Sequence, residues 1–406
     1  MAGRDGTNGN KQPRNAQVRR RRIVMGGAVG AFIAAAAMAT GSAVTAAPAK
    51  ADFEDLLDPI IQPILTSLTD SLAGFDPAAA VDVTSWTDSL FASLNSIDLA
   101  LPSTAESAAA VAASADPAAD PADATIPLTV LEGTEPAVNA SVDGGSSVPL
   151  LVDTGSSGLV IPYTDLGSTT TQQLTNLFDL GFPTGFSESG YSGGVDYLYL
   201  TYNDVPVDYL NGSTDVLSTN GPVDVEVYSW DPSNFGSLFT NDAFQNFLTS
   251  NDVNGILGIG ENTSGPTTSP FESYGGVTVD VPQSELIVGS TDPITGGTTV
   301  DGAPISNLYE TVTNGGSTTG SSVSDDVDSG GVFGTIPSTL NAEPGSIITV
   351  YTSQGGTELY QYTVGSGEVP TSTTGTSIDS GVEPFLTHEL YINYATDQMT
   401  IGPSIT

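Results

Sequence analysis

Two stretches decide how this chain reads: Asp153-Thr154-Gly155-Ser156-Ser157-Gly158-Leu159-Val160-Ile161-Pro162 and Asp328-Ser329-Gly330-Gly331-Val332-Phe333-Gly334-Thr335-Ile336-Pro337. Each opens on Asp, a hydroxyl residue and Gly, and each reaches Ile-Pro at the same spacing. A lone Asp-Thr-Gly says little, because Asp and Gly are common in turns. Two copies in matched apolar frames say much more. They deliver two carboxyls on equivalent loops, the arrangement in which an acid and a base can share one proton. The Gly lets each backbone turn sharply and approach a neighbour closely. The hydroxyls of Thr154 and Ser329 are placed to bond across from one loop to the other.

Outward from these loops the pattern is that of short strands. Val148–Val152, Tyr197–Tyr202, Val223–Tyr228, Glu285–Gly289, Ser346–Tyr351 and Leu390–Tyr394 are β-rich and separated by Gly, Asn, Ser and Thr clusters. No long helical pattern interrupts them, which argues against a parallel α/β sheet. The expectation is an all-β, two-lobed unit over 126–406, with lobes of about 126–283 and 284–406.

Composition removes several classes of function. The 406-residue chain has one His, at position 388, and no Cys. A Ser-His-Asp or Cys-His triad would hang on that one residue, and a zinc site would lack its usual ligands. Asp325, Asp326 and Asp328 lack the twelve-residue frame and closing Glu of a calcium loop. No metal and no cofactor is expected. All eight Lys and Arg precede residue 51, whereas of the 47 acidic residues only Asp5 does, and the net charge is −39. Such a surface repels phosphate backbones, so nucleic acid is not an expected partner.

The N-terminal third divides into three. In residues 1–51, Arg19 to Arg22 precede an apolar run from Ile23 to Ala47 and a small-x-small site at Ala49-Lys50-Ala51. This is the pattern of a cleaved export signal, with an Arg-Arg order that suits the twin-arginine type. It implies a secreted or cell-surface protein that meets the membrane only in transit. Over 52–101, Leu56, Leu57, Ile60, Ile61, Ile64 and Leu65 recur at helical spacing, and Trp86, Leu90, Phe91 and Leu94 suggest a second helix. Residues 102–125 are an Ala/Pro/Asp-rich linker without periodicity.

The region after the linker resembles the pepsin family. Leu151-Val152-Asp153-Thr154-Gly155-Ser156-Ser157-Gly158 is similar to the family's first catalytic loop. Gly190-Tyr191-Ser192-Gly193-Gly194 looks like its flap, and Asn254-Gly255-Ile256-Leu257-Gly258-Ile259-Gly260 like the segment that closes the first lobe's crossed loop. Glu285–Asp292 and Leu390–Gly402 resemble the opening and closing strands of the second lobe. Within that family the chain most resembles the aspartic protease domain of the mycobacterial PE-PGRS group, but carries an export signal and helical segment where those proteins carry a PE domain.

The resemblance implies Asp153 and Asp328 as the catalytic pair, supported by Thr154, Gly155, Ser156, Ser329 and Gly330. It implies Tyr191, Ser192 and Gly193 as flap residues over an extended peptide, and a monomeric endopeptidase that cuts exported proteins or itself. Ser156 would hydrogen-bond Asp153, whereas Gly331 stands where relatives have Ser or Thr. Asp328 is therefore the expected protonated member. Asp379-Ser380-Gly381 is a rival second site, but too few residues follow it to build a lobe, and it is expected in the second lobe's crossed loop. The alternative is a non-catalytic cell-envelope binding protein on the same fold, which would have no reason to keep both carboxyls.

Overall fold

A computed structural model describes residues 123–405, apart from 168, 182, 192–193, 235–236 and 238–240. The export signal, the helical hairpin and all but the last three linker residues lie outside the described residues. The first strand, Ala124–Leu131, already starts within the span read as linker.

That strand joins the two halves of the fold. Its first residues pair antiparallel with Glu285–Val288, Ala124 opposite Val288, and its last pair with Glu135–Val142, Leu131 opposite Glu135. On the first side the sheet continues through Gly276–Asp280, Leu390–Asn393, Gln398–Ile401 and Thr298–Asp301. This back sheet interleaves strands from the middle and the end of the chain, which locks the lobes together.

On the other side lies the N-lobe. From Glu135–Val142 the order runs through Val148–Asp153, Gly255–Ile259, Ser157–Pro162, Thr214–Trp230 and Val195–Asn211. Pairing of Ala140 with Tyr209 then closes the ring. Strands central to such a closed sheet are buried on both faces and read as continuous apolar runs. Ser157–Pro162 and Gly255–Ile259 are buried at every position. The long hairpin of Val195–Asn211 and Thr214–Trp230 bends at bulges at Leu198/Tyr199, Tyr202/Val205 and Tyr209/Leu210, as a strand curving around a barrel must.

The C-lobe sheet runs Glu358–Thr363, Ile347–Tyr351, Ile305–Asn314, Ser317–Asp326, Ser377–Asp379. Alternation along Ile305–Asn314 turns Ser306, Leu308, Glu310 and Val312 inward. Glu310 thus occupies a core position by periodicity alone. Two helices, Thr170–Asp179 and Ala243–Ser250, interrupt the strands. The sequence barely signals them: the first is rich in Thr, Asn and Asp, weak helix formers, and the second has only eight residues.

The pairings that matter most place the two Asp loops. Gly255–Ile259 lies between Val148–Asp153, parallel and with Asp153 opposite Gly258, and Ser157–Pro162, antiparallel. The chain leaving Asp153 must therefore cross the end of the intervening strand, which presents the Asp at a loop apex. In the C-lobe Ser377–Asp379 runs parallel to Ser317–Asp326 with Asp379 opposite Asp326. Extending that register by two residues sets Gly381 beside Asp328, as Gly258 sits beside Asp153.

Candidate active site

The two Asp-Thr/Ser-Gly loops meet face to face. Thr154 Oγ1 donates to the Val327 carbonyl at 2.7 Å and accepts from the Ser329 amide at 2.9 Å. Reciprocally, Ser329 Oγ donates to the Val152 carbonyl at 2.6 Å and accepts from the Thr154 amide at 3.1 Å. Thr154 and Ser329 are both fully buried. Each hydroxyl therefore satisfies one donor and one acceptor of the opposite lobe, and the four bonds set the two loops level.

The carboxyls lie across this seam. Gly155 N donates to Asp153 Oδ1 at 2.8 Å and also to Asp328 Oδ1 at 3.1 Å, so one amide ties both acids. Gly330 N donates to Asp328 Oδ1 at 2.8 Å, and Ser156 Oγ to Asp153 Oδ2 at 2.6 Å. Glycine is required at both turns for the same reason. A Cβ on Gly155 would run into the Asp328 carboxyl, and one on Gly330 would come within 2.9 Å of Asp153 Cγ. The motif spacing is thus a device for bringing two carboxyls together.

Their electrostatics are unequal. Burial, then the carboxylates of Asp153, Asp379 and Asp326, then a hydrogen bond to Asp153, push the Asp328 carboxyl well above its ordinary value. Asp153 instead accepts from the Ser156 hydroxyl. Asp326 is pushed up to about 8 by burial and by Asp153, Asp379 and Asp325. Glu135 is pushed up to about 7, by burial and by Asp153. The described residues contain no Lys or Arg to offset any of these charges.

The flap segment is a hairpin. Gly185–Tyr191 pairs antiparallel with the start of Val195–Asn211, Tyr191 opposite Val195, and the Gly194 amide closes the turn onto the Tyr191 carbonyl at 3.1 Å. Ser192 and Gly193, the other expected flap residues, lie outside the described residues. The Tyr191 ring stacks on Tyr197 and Phe247, with centroids 5.5 and 5.7 Å away. Burial, Tyr197 and the Asp153 carboxylate raise its phenol well above the ordinary value, while Ser156 acts in the opposite sense. The hairpin Tyr, the Ser156 hydroxyl and Asp153 therefore form one neighbourhood.

Sequence reasoning passed over Glu135 and the aromatic floor of Phe244 and Phe247. It weighed Asp326 only as a calcium ligand and set it aside as part of a solvated turn, whereas burial raises it here. In a chain with so many acids nothing marks two of them as buried, and the Phe pair sits on a helix too short to show its period. Asp379 lies beside the second loop: its amide donates to Thr335 Oγ1 at 3.0 Å, and its Oδ1 accepts from Gly381 N at 2.8 Å. Ser380 Oγ accepts from the Asp328 amide at 3.1 Å. His388 is buried, its ring 6.3 Å from that of Tyr360. Among the described residues no group of His, Asp or Glu is arranged to hold a metal ion.

Residues 124–402 match the model of the PE-PGRS C-terminal aspartyl peptidase-like domain. The chain belongs to this family. It is 36% identical over 292 residues to PE cleavage protein A of Mycobacterium tuberculosis, covering 67% of this chain and 50% of that one. The corresponding protein of Mycobacterium marinum is 37% identical over 295 residues, with the same coverage. The chain thus spans about half the length of the curated relatives it matches. A crystal structure of the aspartic proteinase of Irpex lacteus aligns with a TM-score of 0.47 at 18% identity, over 70% of this chain and 98% of that one. The matched domain is mostly β, its two halves joined through the strand Ala124–Leu131.

Proposed function

We propose that this chain is an exported aspartic endopeptidase that hydrolyses peptide bonds through Asp153 and Asp328. The observation that carries the reading is the Gly155 amide donating to both carboxyls at once, which fixes them close enough to share a single proton. In that reading Asp153, supported by Ser156, takes a proton from a water as the water oxygen attacks the scissile carbonyl carbon. Asp328 gives its proton to the carbonyl oxygen. Collapse of the resulting diol breaks the C–N bond: the leaving nitrogen takes up the proton held by Asp153, and one hydroxyl of the diol returns its proton to Asp328, which restores the pair. The hairpin bearing Tyr191 covers an extended peptide and offers it backbone hydrogen bonds, as an added strand. The Arg-rich, then apolar N-terminus supports export, and exported or cell-surface proteins, this chain's own linker included, are the proposed substrates. The protein is taken to act as a monomer.

The test is cleavage of a peptide library and of the chain itself by full-length protein, wild type against Asp153→Asn and Asp328→Asn. Each substitution is expected to reduce kcat/KM by roughly 10³-fold or more while the melting transition stays cooperative. Full activity in either variant would refute the assignment.

A further inference from the structure

The two loops differ at one position. Three residues after Asp153 stands Ser156, whose hydroxyl donates to the Asp153 carboxylate. Three residues after Asp328 stands Gly331, and a Cβ there would run into Asp379 Oδ1, with Asp379 Cγ only 2.8 Å away. The missing side chain and the Asp379 carboxyl are therefore a single feature: one vacates the space that the other fills. We propose that Asp379 is a positioning residue for the reaction, a carboxylate that replaces on the Asp328 side the hydroxyl that Ser156 supplies on the Asp153 side, and so fixes which member of the pair acts as acid. This rests on the peptidase reading and narrows it.

Asp379 is held from several directions. The strand register sets it opposite Asp326, its amide donates to Thr335, and its Oδ1 accepts from Gly381. The Val332 carbonyl accepts from the Val382 amide at 2.9 Å, tying the second Asp loop to the segment that carries Asp379. Val332 itself sits at φ 52, a costly conformation for a β-branched residue, so this loop is shaped by its surroundings rather than by local preference.

The exchange reverses the sign of the interaction. A hydroxyl donating to a carboxylate favours its ionised form, whereas a neighbouring carboxylate favours the neutral acid. The ionisable groups that face Asp379 are Asp326 and Asp328 on the adjoining strand and loop, and Tyr362 on the strand Glu358–Thr363. Asp153 faces Asp328 from across the seam. None is cationic, and the described residues contain no Lys or Arg to cancel the effect on Asp328. Glu383 follows on the same segment and is itself raised by burial and Glu368.

The experiment compares full-length wild type, Asp379→Asn, Gly331→Ser and the pair Gly331→Ser/Asp379→Gly. Two readouts are used: the pH profile of kcat/KM, and the carboxyl 13C titration of Asp328, which needs no turnover. In Asp379→Asn the alkaline limb is expected to move toward acid, with activity above the wild-type limb falling about tenfold or more, as the loss of a carboxylate neighbour within about 10 Å gives at an effective dielectric near 20. Gly331→Ser alone is expected to lose most activity through the collision. The pair is expected to recover it and to keep the acid-shifted limb. A wild-type limb and titration in Asp379→Asn, or a Gly331→Ser variant as active as wild type, would overturn the proposal. Should Asp379→Asn fail to fold, the pair decides alone, and an unshifted limb there also overturns it. A wild type without peptidase activity would sink the peptidase reading, while the 13C titration would still decide the role of Asp379.

Discussion

A domain that buries carboxyls without a single Lys or Arg among its described residues should be most stable in acid. Glu135 and Asp325 show why. Both are buried, and Glu135 Oε2 and Asp325 Oδ1 find no hydrogen-bond partner. Burial and Asp153 push Glu135 from 4.5 to about 7, and burial pushes Asp325 from 3.8 to about 7, with the Tyr360 hydroxyl pulling the other way. Unfolded, each ionises near pH 4; folded, each keeps its proton to about pH 7. Between those values the native state binds more protons than the unfolded one, so stability falls as pH rises and levels off above the folded value. At 1.36 kcal/mol for each pH unit of separation, Glu135 costs about 3 kcal/mol and Asp325 about 4 kcal/mol by neutral pH. Halving the sum for relaxation around a buried charge leaves about 4 kcal/mol, or roughly 10 °C in Tm for a domain of this size. Thermal melts of the full chain from pH 4 to 8, at constant high salt to screen general repulsion, should show Tm falling steadily. Glu135→Gln and Asp325→Asn should each flatten the slope. A Tm that rises or stays level over this range, or variants with the wild-type slope, would refute the reasoning.

Two further outcomes follow from the seam between the loops. Gly155→Ala should push the Asp328 carboxyl away and lower kcat/KM about 10²-fold with little change in Tm, since displacement by about 1 Å at the reacting centre has that effect; equal losses in both readouts would contradict it. Thr154→Val keeps the volume but leaves the Val327 carbonyl and the Ser329 amide without their partner. Chemical denaturation should show a loss of about 2 kcal/mol, and an unchanged midpoint would show that water replaces the hydroxyl.

The paired loops and the strands around them were legible because their signals are local. Val148–Asp153 and Leu390–Asn393 announce themselves by apolar β-branched and aromatic runs, and Asp-Thr-Gly carries its own geometry in three residues. What stayed hidden depends on register between distant segments. The closing contact of Ala140 with Tyr209 is a property of pairing, and no short window of sequence contains it; the crossed loop at Asp379-Ser380-Gly381 is expected only through the family resemblance. Glu310 alternates correctly into the C-lobe core, but an acid at an inward position reads as an error in the period, not as a buried group. The helix Ala243–Ser250, which floors Tyr191, is shorter than the span over which helical periodicity can be counted.

Gly331 shows how the two kinds of information combine. By comparison with the first loop it reads as a loss, a support removed from one carboxyl, and that inference needs only the sequence. The structure turns the loss into an exchange, because the vacated space holds Asp379, which lies 48 residues further along the chain. The same residue reads in sequence as a rival catalytic Asp, since Asp379-Ser380-Gly381 repeats the motif. Under the peptidase reading, strand register speaks for Asp328 over Asp379. Asp379 is opposite Asp326, two residues before the loop apex, and it is Gly381 that falls beside Asp328. On the proposed reading, one copy of the motif is catalytic in its register and the other supportive in its own. In this fold the register, not the motif, assigns the role.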